Sequence, residues 1–219
     1  MILTFHGHSC FKLKGADGTV VTDPFHEYIG YPLPSMSADI VTVSHSHKDH
    51  ASSDKIRGTA RRKNPFLVNK PGEYEVCGIS VFGVPSFHDD SKGAERGPNI
   101  IFTILIDDIR VCHLGDLGHE LSQSDIEAIG SVDILLCPVG GTFTLDPKTA
   151  VKVIRAIEPS ITIPMHYNTP DLDQKVFADL KTREEFAKEY GAEVTPVVSL
   201  DISRSQLPEE SELVLLERT

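Results

Sequence analysis

The stretch Val41-Thr42-Val43-Ser44-His45-Ser46-His47-Lys48-Asp49-His50 packs three histidines and an aspartate into six residues, directly behind an apolar run. Histidine is scarce in the chain, ten among 219 residues, so the crowding needs a chemical reason. On a helix, at about 100° per residue, positions 45, 47, 49 and 50 would point at roughly 0°, 200°, 40° and 140°, and these directions do not converge. An extended segment puts 45, 47 and 49 on one side and needs a turn to bring 50 round. The cluster therefore belongs on a loop leaving a strand at Ala38–Val43, with Ser52 and Ser53 placed to start a helix after it.

Imidazole and carboxylate side chains at this density suit metal binding. One ion takes about three or four protein ligands, and a strand-plus-loop does not easily wrap four donors around a single ion. Two ions a few ångströms apart use them better, and such a pair needs further donors. Three candidates share the habit of following an apolar strand: His88 after Val81–Val84, Asp116 after Ile109–Cys112, and His166 after Ile161–Ile163. Strand ends followed by donors describe one site at one edge of the sheets, the position expected in open α/β folds. His113 competes with His88 for the role of third ligand to the first ion, or else belongs to the core. Lys48 is no ligand.

Around the cluster the chain reads as strands first, then strands alternating with helices. Ile2–His6, Cys10–Lys14 and Thr19–Thr22 are short strand-like runs, with an Asp17-Gly18 turn between the last two. Further strands are expected at Phe66–Asn69, Ile79–Val84, Asn99–Ile106, Ile109–Cys112, Asp133–Cys137, Ile161–Ile163 and Leu213–Leu216. Caps mark the helices. Ser124 with Glu127 makes a capping box with a stop at Gly130, and Thr182 with Glu185 makes another, closed by Gly191. Asp146 before Pro147 starts a third helix, in which Ala150, Val151, Ile154 and Ile157 repeat at helical spacing up to Pro159. No repeat or linker divides residues 1–219, so one layered α/β domain is expected, its sheets covered by helices.

Composition narrows the partners. Apolar residues at 40% and charged residues at 24% are ordinary for a soluble protein. The net charge of −11 disfavours nonspecific nucleic-acid binding, and the basic group Arg57 with Arg61, Arg62 and Lys63 reads as a solvated face. Cys10, Cys77, Cys112 and Cys137 are far apart, which speaks for buried free thiols rather than a zinc ribbon or a disulfide framework. No stretch has the apolar length of a membrane span, and the first eight residues lack the pattern of a secretion signal. The expectation is a cytoplasmic protein with a small-molecule substrate and neither nucleic acid nor membrane as partner. The sequence leaves the oligomeric state open, an assembly of identical chains included.

The order H-x-H-x-D-H, lone histidine, Gly-Asp, then a late histidine behind a strand resembles the metallo-β-lactamase superfamily. His45–His50 matches its signature in full, and Phe87-His88-Asp89, Leu114-Gly115-Asp116 and Pro164-Met165-His166-Tyr167 follow in order. Gly7–Phe11, Thr22–Phe25 and Pro138–Thr144 look like one branch, the bacterial metal-dependent hydrolases related to ascorbate-6-phosphate lactonase. The likeness runs from about residue 3 to about residue 170. It implies a four-layer αβ/βα sandwich of two mixed β-sheets flanked by helices, with the metals at one edge between the sheets. It also implies that His45, His47 and His88 hold one divalent ion, that Asp49, His50 and His166 hold a second, and that Asp116 bridges them. Two such ions would lower the pKa of a shared water and polarise the substrate oxygen, with Asp49 orienting the nucleophile. The ligand types suit zinc first, with manganese or iron as alternatives. The superfamily's di-iron oxygen-reducing members carry a glutamate where His47 stands, which weighs against that chemistry.

Metal-ligating histidines need partners that fix their tautomers, and Asp23 is placed to orient the ligand loop. His8 either reaches the floor of the site or is an ordinary strand residue. Tyr167 either donates to a developing oxyanion or simply packs. Met36–Ser37 and the loop His88–Arg96 are the expected rims of the pocket. The leading function is a dinuclear metal-dependent hydrolase of a small ester, lactone or phosphoester. β-Lactams are disfavoured, because Asp116 stands where many such enzymes use cysteine. The alternatives are a nuclease or phosphodiesterase of the same superfamily and a noncatalytic metal- or ligand-binding protein. The acidic balance and the lack of room for a further domain count against the first, and the ligand set counts against the second.

Overall fold

The computed structural model describes residues 1–219. Two mixed sheets face each other. The first contains β1 (Ile2–Gly7), β2 (Cys10–Lys14), β3 (Thr19–Thr22), β4 (Ile40–Thr42), β5 (Phe66–Val68) and β12 (Leu200–Asp201), in the order β12-β1-β2-β3-β4-β5. The second contains β6 (Gly72–Val76), β7 (Ile79–Phe87), β8 (Pro98–Ile106), β9 (Ile109–His113), β10 (Ile134–Pro138), β11 (Ile161–Met165) and β13 (Glu212–Leu213), in the order β13-β11-β10-β9-β8-β7-β6. Each sheet has a parallel part, β3-β4-β5 in one and β9-β10-β11-β13 in the other. The helices are few: α1 (Gln123–Ile129), α2 (Pro147–Ile157), α3 (Gln174–Phe177) and α4 (Arg183–Tyr190).

Two cores explain the strand sequences. Leu3, Phe5, Phe11, Leu13, Val20 and Ile40 point between the sheets into the larger core. Their neighbours Cys10, Val21 and Val41 point the other way, into a smaller core closed by Phe25, Ile29, Leu172 and Phe177. Strands buried on both faces read as continuous apolar runs, which is why β3 and β4 stand out in the sequence. Burying a side chain the size of Phe11 or Phe102, both fully inaccessible, stabilises the fold by about 1.5–3 kcal/mol. α2 lays Ala150, Val151, Val153, Ile154 and Ile157 into the larger core from outside. The cover over the first sheet is thinner than a helical layer, since it consists of irregular chain, short 3₁₀ turns and the four-residue α3.

Several expected boundaries shift. α1 is capped by Ser122 with Asp125 rather than by Ser124 with Glu127, because the earlier pair satisfies both end N–H groups reciprocally. No α-helix follows Ser52 and Ser53. A single 3₁₀ turn at Ser53–Lys55 gives way to extended chain at Ile56, and Arg57 pairs with Ser37. The expected Leu213–Leu216 strand is the shorter β13. β6 and β12 were not expected; Gly72-Glu-Tyr-Glu-Val turns only Tyr74 and Val76 toward the core, and it forms an edge strand by pairing with β7. Cys77 is exposed in the β6–β7 turn, while the other three cysteines are buried and free.

Candidate metal centre

The loops after β4, β7, β9 and β11 leave the same edge of the sheets. β9, β10 and β11 are parallel, and β7 is two antiparallel steps from β9, so their C-terminal ends share a side. The β4 loop is tied across the gap by Ile100 N, which donates to the Ser44 carbonyl at 2.9 Å. The turn that brings His50 round is closed by its N–H donating to the His47 carbonyl at 3.0 Å. Behind Asp116, Gly115 N donates to His113 Nδ1 and Asp116 N to Asn99 Oδ1, both at 3.0 Å. His8, Asp23 and His166 adopt left-handed backbone with φ of 55°, 38° and 53°. That conformation costs a non-glycine residue about 1 kcal/mol or more, and it clusters where the backbone must aim a side chain. Gly140 must lack a side chain here, because the His166 carbonyl oxygen occupies the space a Cβ would need.

Asp23 organises the ligand loop from beneath. Its Oδ1 accepts from Ser44 N at 2.8 Å, and its Oδ2 accepts from Ser44 Oγ and, at 2.8 Å, from His50 Nδ1. With the hydroxyl proton given to Asp23, Ser44 Oγ is left to accept from His45 Nδ1 at 2.9 Å. This pattern makes Nδ1 the donor of both rings toward the Asp23 side and turns both Nε2 atoms toward the centre. We expect Asp23→Asn to weaken metal affinity about 10–100-fold, read by competition with a chromophoric chelator. Unchanged affinity would mean that the tautomers are held by something else.

Asp116 stands in the middle. Its Oδ2 lies 3.1 Å from His88 Nε2, 3.2 Å from both His50 Nε2 and His166 Nε2, and 3.7 Å from His45 Nε2. Around it, His45 with His47 and His88, and His8 with Asp49, His50 and His166, form two groups whose donor atoms lie within 4.8 Å of one another, and beneath them Asp23 with His45 and His50 forms a third. His45 Nε2, His50 Nε2 and Asp116 Oδ1 are buried without a hydrogen-bond partner. Buried polar atoms left in that state are costly, and a cation relieves all of them at once. The donor set fits a divalent metal.

A family model described as a beta-lactamase superfamily domain matches residues 2–166. The chain belongs to the metallo-β-lactamase superfamily. A "UPF0173 metal-dependent hydrolase" of Thermoplasma volcanium is 31% identical over 196 residues, covering 78% of this chain and 85% of its own length. Another, from Pelotomaculum thermopropionicum, is 31% identical over 220 residues, covering 85% and 93%. Among solved structures, a candidate zinc-dependent hydrolase of the superfamily from Thermotoga maritima has a TM-score of 0.80 at 36% identity, over 98% of this chain and 97% of that one. An isothiocyanate hydrolase from Delia radicum gut bacteria, at 13% identity and a TM-score of 0.68 over 93% and 100%, shares the fold alone.

Without an ion, the histidines and carboxylates of this site neutralise one another. Burial pushes His50 toward neutrality, but Asp116 and Asp23 outweigh it and raise its pKa well above the ordinary histidine value. Burial likewise opposes the charge of Asp116, yet His166 and His50 hold its carboxyl well below the usual range. His88 is raised, since Asp116 overcomes its burial. Burial and the neighbouring His50 push His45 down to about 3. Asp49 stays ionised because His8 and His50 outweigh its burial. A cavity of about 620 Å³ opens onto this cluster, floored by His47, Asp49, His88, Asp116 and His166 and walled by Tyr28, Phe143 and Phe177.

The other candidate residues divide clearly. His8 reaches the floor, with Nε2 3.2 Å from Asp49 Oδ2 and its ring 4.1 Å from that of His166. His113 stays in the core and donates from Nε2 to the Ser9 carbonyl at 2.9 Å, so it braces the Asp116 loop and His88 faces the cluster instead. Tyr167 turns away from the cavity. It packs on Phe5 at 6.0 Å and lines a separate cleft of about 340 Å³, so the expected oxyanion role does not fit its position. Met36 is no rim residue either, being buried in the smaller core. The His88–Arg96 loop does contribute His88, Glu95 and Arg96 to the cavity. Asn99, Tyr28 and Phe177 escape a reading of the sequence. Asn99 is a polar residue at the head of an apolar strand, a usable signal, whereas the other two sit on a 3₁₀ turn and a four-residue helix without periodicity.

Proposed function

We propose that this metal-dependent hydrolase works with two divalent ions, zinc first among the candidates, and cleaves a small ester, lactone or phosphoester. The observation that carries the reading is the single Asp116 carboxylate between two donor groups, 3.1 Å from His88 Nε2 on one side and 3.2 Å from His166 Nε2 on the other. In this reading His45, His47 and His88 hold one ion, Asp49, His50 and His166 the other, and Asp116 spans both. When bound, the ions supply Lewis acidity toward the substrate oxygen and a hydroxide nucleophile near neutral pH.

The chain's own groups do the rest. Asp49, ionised beside His8, is available to accept a hydrogen bond from the attacking water and hold it in line. The Tyr28 phenol, whose pKa is raised by burial and the nearby Asp49 charge, stays protonated and can donate to a substrate oxygen. Phe143 and Phe177 take up the carbon skeleton and exclude water. The lactonase-like segments put lactones on the substrate panel without narrowing it to them.

The test is a hydrolysis screen of zinc-loaded protein over lactones, carboxylic esters, thioesters, phosphomonoesters and phosphodiesters. Turnover of at least one ester or lactone is expected, lost on chelation and restored by zinc. Turnover confined to phosphodiesters with steep salt dependence would favour the nuclease reading. Full metal loading without any turnover would leave a noncatalytic metal-binding protein.

A further inference from the structure

Arg96 lines the mouth of the cavity without an ion-pair partner in a chain that carries 32 acidic and 21 basic residues. Its contacts are the Thr142 carbonyl, 3.1 Å from Nη2, and the Phe143 ring, whose centroid lies 5.8 Å from the guanidinium carbon. Glu95, beside it at the rim, makes no ion pair with it.

The arginine does not sit on a loose loop. Asp89, adjacent to His88, accepts from the backbone N–H groups of Ser91 at 2.9 Å, Gly93 at 2.8 Å, Glu95 at 3.1 Å and Arg96 at 2.8 Å. Burial opposes the Asp89 charge, but these four donors outweigh it and hold the carboxyl low. His88 N donates to the Gly97 carbonyl at 3.1 Å and closes the two ends of the loop. The Arg96 backbone is thus fixed relative to His88. Its side chain is fixed from the opposite side, since Thr142 in turn donates from Oγ1 to the Asp179 carbonyl at 3.0 Å. A guanidinium has five N–H donors in a rigid plane, and here the bond to the Thr142 carbonyl and the face of the Phe143 ring restrict where that plane lies. Most of those donors remain free for an acceptor entering the cavity.

We propose that Arg96 is the specificity-determining residue of the site and that the substrate carries an oxyanion, a carboxylate or a phosphate, a short linker away from the bond that is cleaved. Phe143 and Phe177 flank the space between the arginine and the metal-binding floor, which suits a compact carbon body joining the anion to the ester. Exposed Lys48 adds positive charge at the same mouth without a fixed geometry. The part concerning the cleaved bond rests on the hydrolase reading; the part concerning anion binding does not.

Two measurements on zinc-loaded protein separate these parts. The first compares kcat/KM for 3-carboxyphenyl acetate, 3-phosphonophenyl acetate and neutral phenyl acetate in the wild type, Arg96→Gln and Arg96→Lys. The second measures calorimetric binding of benzoate and phenylphosphonate to the same proteins, with zinc content checked in each. Arg96→Gln is expected to lower kcat/KM for an anionic ester at least about tenfold more than for the neutral one, chiefly through KM. Arg96→Lys should recover part of the loss. Probe binding should weaken by a similar factor at unchanged zinc content, and the probe that loses more tells carboxylate from phosphate. Equal losses on all three esters, or none, together with unaltered probe binding overturn the assignment. Arg96-dependent probe binding without ester turnover upholds the anion site and rejects carboxylic-ester cleavage beside it. Turnover indifferent to Arg96 does the reverse.

Discussion

Asp116→Ala is expected to leave the chain with one bound metal ion or none and to cut hydrolysis by about a thousandfold or more. The carboxylate is the shared neighbour of His45, His50, His88 and His166, so its removal takes a donor from both halves of the centre. Lewis-acid stabilisation of the transition state is worth several kcal/mol, and each 1.36 kcal/mol is a factor of ten in rate. Because the side chain is buried, alanine also leaves a hole among imidazoles that have lost their counter-charge. Asp116→Asn keeps the shape and removes only the charge, which separates an electrostatic loss from a packing one. Both variants should be measured for metal content and rate. Metal content and activity unchanged in the two variants would refute the bridging role.

Metal removal is expected to lower the melting temperature by about 10 °C or more at pH 8, and by less at pH 5.5. An ion present at a thousand times its dissociation constant stabilises the native state by about 4 kcal/mol, and each kcal/mol shifts the melting point of a chain this size by about 2–4 °C. The pH trend follows from which histidines hold protons in the ion-free fold. His50 and His88 have raised pKa values, so metal must displace protons from them, and this becomes harder as pH falls. The same shift on His50 stabilises the ion-free fold below the unfolded value of about 6.5, and this contribution is lost as pH rises through the folded value. Both effects widen the gap between metal-loaded and ion-free protein at higher pH. His45 and His8, pushed to about 3 and about 4 by burial, are already neutral in the ion-free fold and add nothing to the trend. Thermal melts with and without chelator across this range check it. A gap that stays constant or narrows with rising pH contradicts the assignment of His50 and His88 as ligands.

Most of the donors were legible because they follow strands that the core forces to be apolar, whereas His88 follows the half-exposed β7. β4 and β11 are fully buried, so His45, His50 and His166 stand out beyond their ends. The preference for a loop over a helix followed from the angular spacing of positions 45, 47, 49 and 50 alone. What holds these donors was less visible. Asp23 was marked as a candidate, yet its double role depends on its left-handed backbone and on Ser44, which no spacing rule singles out. The edge strand β6 stayed hidden because its partner β7, rather than its own composition, makes it a strand. The cavity wall was hidden for a similar reason. Tyr28, Phe143 and Phe177 come from three irregular segments far apart in the chain, and only the tertiary fold brings them together. Arg96 gains its place from the backbone bonds to Asp89, a tertiary arrangement that its neighbours in the sequence do not announce.

Metal analysis of protein purified without chelators, with the protein concentration measured independently, bears most directly on the central claim. Two divalent ions per chain are predicted, with zinc the leading candidate. Zinc, manganese and iron all near zero after supplementation with each metal would contradict the metal centre itself, and a value fixed at one ion would contradict its dinuclear form.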